Sequence, residues 1–74
     1  MMKVYDTADI GLLVRKKRID LRMSQAQLSD ISGKGVRFIS DLENGKATMQ
    51  VGKVLDILHI LGFDVSVSAR GGEK

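Results

Sequence analysis

The chain of 74 residues carries 12 lysines and arginines against 9 aspartates and glutamates, which gives a formal net charge of +3. A chain of this length forms one small domain with a modest core, for which association with a second copy is a common source of stability. Cysteine is absent, so disulfides and thiolate metal sites are excluded, and no apolar run reaches the roughly 20 residues of a membrane-spanning helix. Without a signal-peptide pattern, we expect a cytoplasmic protein whose basic charge permits a polyanionic partner.

The first predicted element is a helix that begins at Asp6 or Thr7, either of which can cap its N-terminus. Apolar residues recur in it at helical spacing with basic residues between them. The apolar set is Ile10, Leu13, Val14 and Leu21, and the basic set is Arg15, Lys16, Lys17, Arg18 and Arg22. The run "RKKR" at 15–18 is most simply the solvated face of this helix, with direct phosphate contact as the alternative. Gly11 weakens the helix, and the only reason that the sequence suggests for a glycine there is close packing against another element.

A pair of short helices follows in the stretch "SQAQLSDISGKGVRFISDLENG", residues 24–45. Ser24 and Gln27 have the spacing of a capping box, which begins one helix, and Gly33 is placed to end it in a left-handed conformation. The second helix of the pair is predicted over residues 36–43 and terminates at Gly45. We expect three apolar side chains to hold the pair together from the inside: Leu28, Ile39 and Leu42.

The last predicted helix takes Thr48 as its cap and stops at Gly62. The apolar period then changes from 3.6 to 2, which is typical of a half-buried strand, here over residues 63–70. The inward positions of that strand are Phe63, Val65, Val67 and Ala69.

This strand needs a neighbour, because a lone strand leaves a row of unpaired amides and carbonyls. The short N-terminal stretch "MMKVY" is one possible partner. The other is the same strand of a second chain, since antiparallel pairing of identical strands builds a closed two-fold dimer. We favour the homodimer over an internal hairpin or a frayed tail.

Two short helices joined by a tight, glycine-containing turn form a helix-turn-helix arrangement. The first helix of such a pair rests against the phosphate backbone, and the second places its N-terminal residues in the major groove of double-stranded DNA. The pair cannot bury its own apolar faces, so the first and fourth helices must supply the rest of the core. The sequence therefore predicts a mainly α DNA-binding domain spanning residues 1–74.

The candidate DNA contacts lie at the start of the first paired helix and along the second. Free backbone amides at the helix start can hold a phosphate, an arginine can donate two hydrogen bonds to guanine, and flanking polar side chains suit phosphate oxygens. The predicted contacts are Ser24 and Gln25 at the helix start, Val36, Arg37 and Ser40 in the groove, and Lys34, Asn44 and Lys46 at the flanks.

Other side chains favour structural roles. Phe38 is either a wedge in the groove or, as we favour, packing near the turn. His59 is more simply a packed or interface histidine than a metal ligand, because the chain has no second histidine or cysteine. Asp41 and Glu43 stand two apart on a helix and do not share a face, so they do not form an acid–base couple. We expect neither an enzyme nor a bound cofactor or metal.

The stretch "SQAQLSDISGKGVRFISDLENGK" resembles the helix-turn-helix of the Cro/C1-type (XRE) repressor family, and the resemblance covers roughly residues 10–61. It implies a compact, lambda-repressor-like domain of four to five helices that recognises operators as a dimer. Family members use the position of Gln25 for phosphate or base-edge contacts. The chain departs from the family at Ser29, Ser32 and Lys34, where small or apolar residues are usual, which puts the packing of the turn in question.

The second half of the chain, with "GFDVSVSAR" appended to the domain, is similar to the HipB-like antitoxins. Those proteins dimerise through a C-terminal strand and partner a HipA-like serine/threonine kinase toxin. The resemblance implies a repressor that binds an inverted-repeat operator as a homodimer, autoregulates its operon and holds the toxin on DNA. The alternatives are a free-standing or phage-type regulator, and an interaction module that neutralises a partner without binding DNA.

Overall fold

Four α-helices form the protein in a computed structural model that describes residues 3–70. The helices are α1 (Thr7–Asp20), α2 (Gln25–Ser32), α3 (Val36–Glu43) and α4 (Val51–Ile60). The mainly α class and the four predicted helices are confirmed. The predicted strand is not present, because residues 3–70 contain no β-structure.

Local signals set most helix ends. The Asp6 carboxylate accepts a hydrogen bond from the Asp9 backbone N–H at 3.0 Å and caps α1. The capping box of α2 is complete, and Gly33 ends that helix with a left-handed φ of 72°. The prediction that Thr48 caps α4 is wrong, because the helix begins after Gln50.

The core lies where α1 and α2 both pack against α3, with α4 contacting α2. The three predicted inward side chains, Leu28, Ile39 and Leu42, are completely buried. Leu21 does not join them: it follows the end of α1 and remains 48% exposed. The core consists of Val14, Leu28, Ile39, Leu42, Val54, Ile57, Leu58 and Leu61.

Gly11 marks the closest approach between two helices. A Cβ atom at this position would collide with the backbone carbonyl oxygen of Leu42 and lie 3.0 Å from that of Glu43. Only a residue without a side chain lets α1 come this near the C-terminal turn of α3. The expectation of close packing at Gly11 is confirmed.

Within residues 3–70, the C-terminal segment pairs with no other part of the chain. Phe63 packs against the core, but Val65 is half-exposed and Val67 is 94% exposed. The described part of the N-terminal stretch, residues 3–5, forms no ladder with this segment, and Met1 and Met2 lie outside the described residues. A strand exists only where a neighbour takes its backbone hydrogen bonds, so the pairing with a second chain stays a prediction.

Candidate nucleic-acid interface

The turn between α2 and α3 is held by serine hydroxyls. Ser29 Oγ donates to the Lys34 carbonyl oxygen at 2.6 Å, and the Lys34 backbone N–H donates to Ser32 Oγ at 3.1 Å. These two serines are two of the three positions at which the chain departs from the family pattern, the third being Lys34. Because their hydroxyls bond to backbone groups of the turn, they stabilise it by hydrogen bonds where apolar side chains would do so by packing.

One side of α3 faces the core and the other faces solvent. Ile39, Leu42 and Glu43 are buried. The opposite side presents a row that we call the reading face, made of the exposed Val36, Arg37 and Asn44 and the half-buried Ser40 and Asp41. The predicted groove contacts thus lie together on one exposed face at the N-terminal end of the second helix of the pair, as reading of base edges requires.

Arg37 forms an ion pair with Asp41, its neighbour on the reading face. Its side chain is 90% exposed, and its Nε lies 3.6 Å from Oδ1 of Asp41, one turn later. Lys46 Nζ lies 3.7 Å from the other oxygen, Oδ2, of the same carboxylate. Two of the predicted DNA contacts therefore share one acidic residue.

Three other predicted DNA contacts, Ser40, Asn44 and Ser24, form hydrogen bonds or close contacts within the helix pair. Asn44 Nδ2 lies 3.5 Å from Ser40 Oγ, so these two side chains adjoin on the reading face. Ser24 Oγ accepts from the Gln27 backbone N–H at 3.0 Å, which commits its hydroxyl to the cap.

Lys34 lies apart from this arrangement. Its ammonium group is 3.1 Å from Asp56 Oδ2 on α4, and its side chain is only 18% exposed. A phosphate contact by Lys34 would require this ion pair to open, so the structure links Lys34 first to the packing of the turn against α4.

A buried ion pair behind α3 was missed by the sequence reasoning. Arg18 Nε and Nη2 donate to the two oxygens of Glu43 at 2.7 and 2.9 Å, and Arg18 Nη1 donates to the Met23 carbonyl oxygen at 2.8 Å. The side chains of Arg18 and Glu43 are 12% and 3% exposed. Interpreting the whole run at 15–18 as a solvated face was therefore wrong for Arg18. A signal existed, because a carboxylate in the last turn of a helix opposes the helix dipole and calls for a cation.

The same carboxylate orients a predicted DNA contact. Gln25 Nε2 donates to Glu43 Oε1 at 3.1 Å. Gln25 is the first residue of α2 and Glu43 the last of α3, so the bond joins the start of one helix to the end of the other. The Gln25 side-chain amide is therefore oriented by the buried Glu43 carboxylate.

The contacts between Arg18 and Glu43 favour the ionised form of both side chains. Burial raises the pKa of the Glu43 carboxyl, but the hydrogen bonds from Arg18 and Gln25 and the charges of Arg18 and Arg15 outweigh burial and lower the pKa below its ordinary value. The hydrogen bond to Glu43 raises the pKa of Arg18. Both groups are therefore ionised at neutral pH.

Two further side chains have clear positions. Phe38 packs against the core, with Lys53 Nζ 5.9 Å from its ring centre, which fits packing near the turn better than a groove wedge. His59 is exposed on α4, so it is not packed within the chain, and its role at an interface stays a prediction. Residues 3–70 bring no three histidine, cysteine or acidic side chains together as metal ligands, and they contain no helix long and apolar enough to span a membrane.

Comparison with known proteins places this geometry in a family. A family model described as helix-turn-helix matches residues 14–67. The "Uncharacterized HTH-type transcriptional regulator y4mF" of Sinorhizobium fredii (strain NBRC 101917 / NGR234) is 45% identical over 72 residues, which are 97% of this chain and 95% of that protein. Two solved structures, "HipB-O4 20mer complex" and "Structure of HipA-HipB-O2-O3 complex", share the fold with a TM-score of 0.83 at 18% identity, over 95% of this chain and 99% of theirs. With its capped α2, its glycine turn and the outward side of its α3, the chain belongs to the helix-turn-helix family of transcriptional regulators.

Proposed function

We propose that this protein is a sequence-specific DNA-binding repressor that binds an inverted-repeat operator as a homodimer, and that it is the antitoxin of a HipBA-like toxin–antitoxin module. One observation carries the DNA-binding part. Arg37 is 90% exposed at the start of α3, while the opposite side of the same helix is locked into the core. A helix that is packed against the core on one side and presents an arginine in its first turn on the other suits reading of the major groove.

Each side chain then has a task set by its chemistry. Arg37 donates two hydrogen bonds to the O6 and N7 acceptors of guanine, and Val36 contacts a thymine methyl group. The backbone amides at the start of α2, beside Ser24 and Gln25, hold a phosphate. Asn44 and Lys46 donate to phosphate oxygens at the far end of α3, which fixes the register of the helix on the duplex.

The dimer rests on the C-terminal segment. Val67 is almost fully exposed and Val65 half-exposed in the single chain, and the alternation of residues 63–70 suits a strand that pairs with its twin. Such a pairing is two-fold symmetric, so it presents two reading faces to two half-sites of opposite direction, spaced by one helical turn, about 34 Å.

The antitoxin part is supported by likeness of fold along nearly the whole chain. The structures that share the fold are described as complexes of HipB with DNA and with HipA, and the present chain covers 99% of those chains. On this proposal the protein acts at the nucleoid in the cytoplasm, represses its own operon and holds a HipA-like kinase there. A kinase-like gene next to its own would support this part, and a free-standing regulator would lack one.

The experiment is operator selection followed by one matched pair of variants. DNA is selected from a random-sequence library with the parent protein, which is expected to yield an inverted repeat. Arg37→Ala is then expected to weaken operator binding by about 1–3 kcal/mol and to relax preference at one base pair of each half-site. Lys16→Ala, which removes one positive charge from the exposed side of α1, is expected to leave the base preference unchanged. If Arg37→Ala binds operator and random DNA as the parent does, the assignment of α3 is wrong. If the parent protects no DNA even at low salt, the protein is an interaction module.

A further inference from the structure

Asp41 is an acidic residue on a face that the proposed function turns toward a polyanion. Ser40 and Asn44 flank it along α3, and its side chain is 28% exposed. Neither the packing of the core nor the capping of α3 uses its carboxylate, since Ile39 and Leu42 form the inward side and Asn44 follows as the C-cap. A carboxylate at this place repels phosphate groups, and its two oxygens face two of the predicted DNA contacts.

The carboxylate is divided between two cations. Oδ1 lies 3.6 Å from Arg37 Nε, and Oδ2 lies 3.7 Å from Lys46 Nζ. The three side chains together carry a charge of +1 where the two cations alone would carry +2. Because attraction to DNA of any sequence grows with the number of phosphates neutralised, Asp41 subtracts from that attraction.

The pairing also favours some orientations of Arg37 over others, with the modest strength of an exposed ion pair. The ion pair engages Nε, which is not needed for the two-pronged contact to guanine, so Nη1 and Nη2 can still meet O6 and N7. A long side chain that is already oriented loses less freedom on binding. Asp41 thus favours the contact of Arg37 with a guanine that lies where this orientation points.

From these relationships, and resting on the proposed function, we infer that Asp41 is a specificity-determining residue: it lowers affinity for DNA in general and positions Arg37 for its guanine. Asp41→Asn keeps the size of the side chain and removes its charge. It is expected to raise affinity for random DNA about tenfold near 0.1 M salt and to steepen the salt dependence by about one phosphate. The gain in affinity for the operator should be about three times smaller than the gain for random DNA, because Asp41 no longer orients Arg37.

A charge control and a double variant test the two parts of the inference. Asp20→Asn removes the same charge at the exposed end of α1 and is expected to change random-DNA binding much less. In the Arg37→Ala background, Asp41→Asn should raise operator and random-DNA binding equally, because Arg37 is no longer there to be positioned. Binding to the selected operator and to random DNA of equal length is measured by fluorescence anisotropy over a salt series.

The outcomes separate this inference from the proposed function. If the parent discriminates operator from random DNA but Asp41→Asn behaves as Asp20→Asn does, Asp41 has no special role. If Asp41→Asn lowers discrimination as strongly without Arg37 as with it, Asp41 does not act through Arg37, and the inference is wrong in that respect. A parent that does not discriminate between the two DNAs overturns the proposed function and the inference with it.

Discussion

Arg18 and Glu43 form a two-pronged ion pair that joins the last turn of α1 to the last residue of α3, with nitrogen–oxygen distances of 2.7 and 2.9 Å. Gln25 donates to the same carboxylate, so the start of α2 is joined to it as well. Three of the four helices therefore meet at one buried acidic side chain. This junction lies directly behind the helix that we propose reads DNA.

Removing one member of the pair should cost much more stability than an exposed ion pair would. Arg18→Met leaves Glu43 charged and buried without its main partner, and we expect the free energy of unfolding to fall by about 3–5 kcal/mol. The measurement is urea unfolding followed by circular dichroism. Lys46→Met, which removes a cation whose side chain is 54% exposed, is the control and should change stability by at most about 1 kcal/mol. Equal losses for the two variants would contradict a structural role for the Arg18–Glu43 pair.

Stability should depend on pH through Glu43. Its pKa in the folded state is lowered from the ordinary value of 4.5, so the carboxylate contributes stability above that value. The contribution is lost as the pH falls through the lower folded-state pKa. We expect the stability difference between the parent and Glu43→Gln to be largest near neutral pH and to shrink below about pH 4. Thermal unfolding of both proteins over a pH series tests this, and a difference that stays constant down to pH 3 would contradict it.

Gly11 should tolerate no side chain. Gly11→Ala places a methyl group against the Leu42 carbonyl oxygen, which forces α1 away from α3, and we expect a loss of at least about 1–3 kcal/mol. Gly52 is also helical, but a Cβ there meets nothing within 4 Å, so Gly52→Ala should instead stabilise the protein by about 0.5–1 kcal/mol. The two variants, compared by chemical unfolding, are expected to shift stability in opposite directions. A stabilising Gly11→Ala would show that the helices separate at little cost.

The C-terminal segment should hold two chains together. Val67→Asp places a charge on the apolar side of the predicted ribbon, where it would be buried against the twin, and we expect it to weaken the dimer by at least tenfold. Ser66→Asp places the same charge one residue earlier, on the other side of the strand, and is the matched control. Sedimentation equilibrium measures both. If the Val67→Asp protein dimerises as the parent does, the ribbon is not the dimer interface.

Much of the fold could be predicted because its signals are local. The Ser24–Gln27 capping box and the left-handed Gly33 act within a single turn of chain, and the structure has both where the sequence predicts them. The predicted start of α4 was wrong because the local cap signal at Thr48 is not used. Thr48 has the chemistry of a cap, but Met49 packs against the core and the helix begins after Gln50.

In the candidate site, too, local features could be predicted from the sequence and long-range contacts could not. Helical spacing separates Val36 and Arg37 from Ile39 and Leu42, so the sequence predicts which side of α3 faces outward. It does not predict that Lys34 pairs with Asp56, because 22 residues separate them and only the packing of α4 beside the turn brings them together.

By itself, then, the sequence determined the helices, the turn and the outward side of α3, since capping, glycine conformation and helical period depend on neighbours a few residues apart. Only the tertiary structure decided that Arg18 is buried against Glu43 across 25 residues, that Gly11 packs against the carbonyl of Leu42 and that Asp41 is shared by Arg37 and Lys46. The physical reason is that burial and ion pairing depend on distances in space, which helix packing sets.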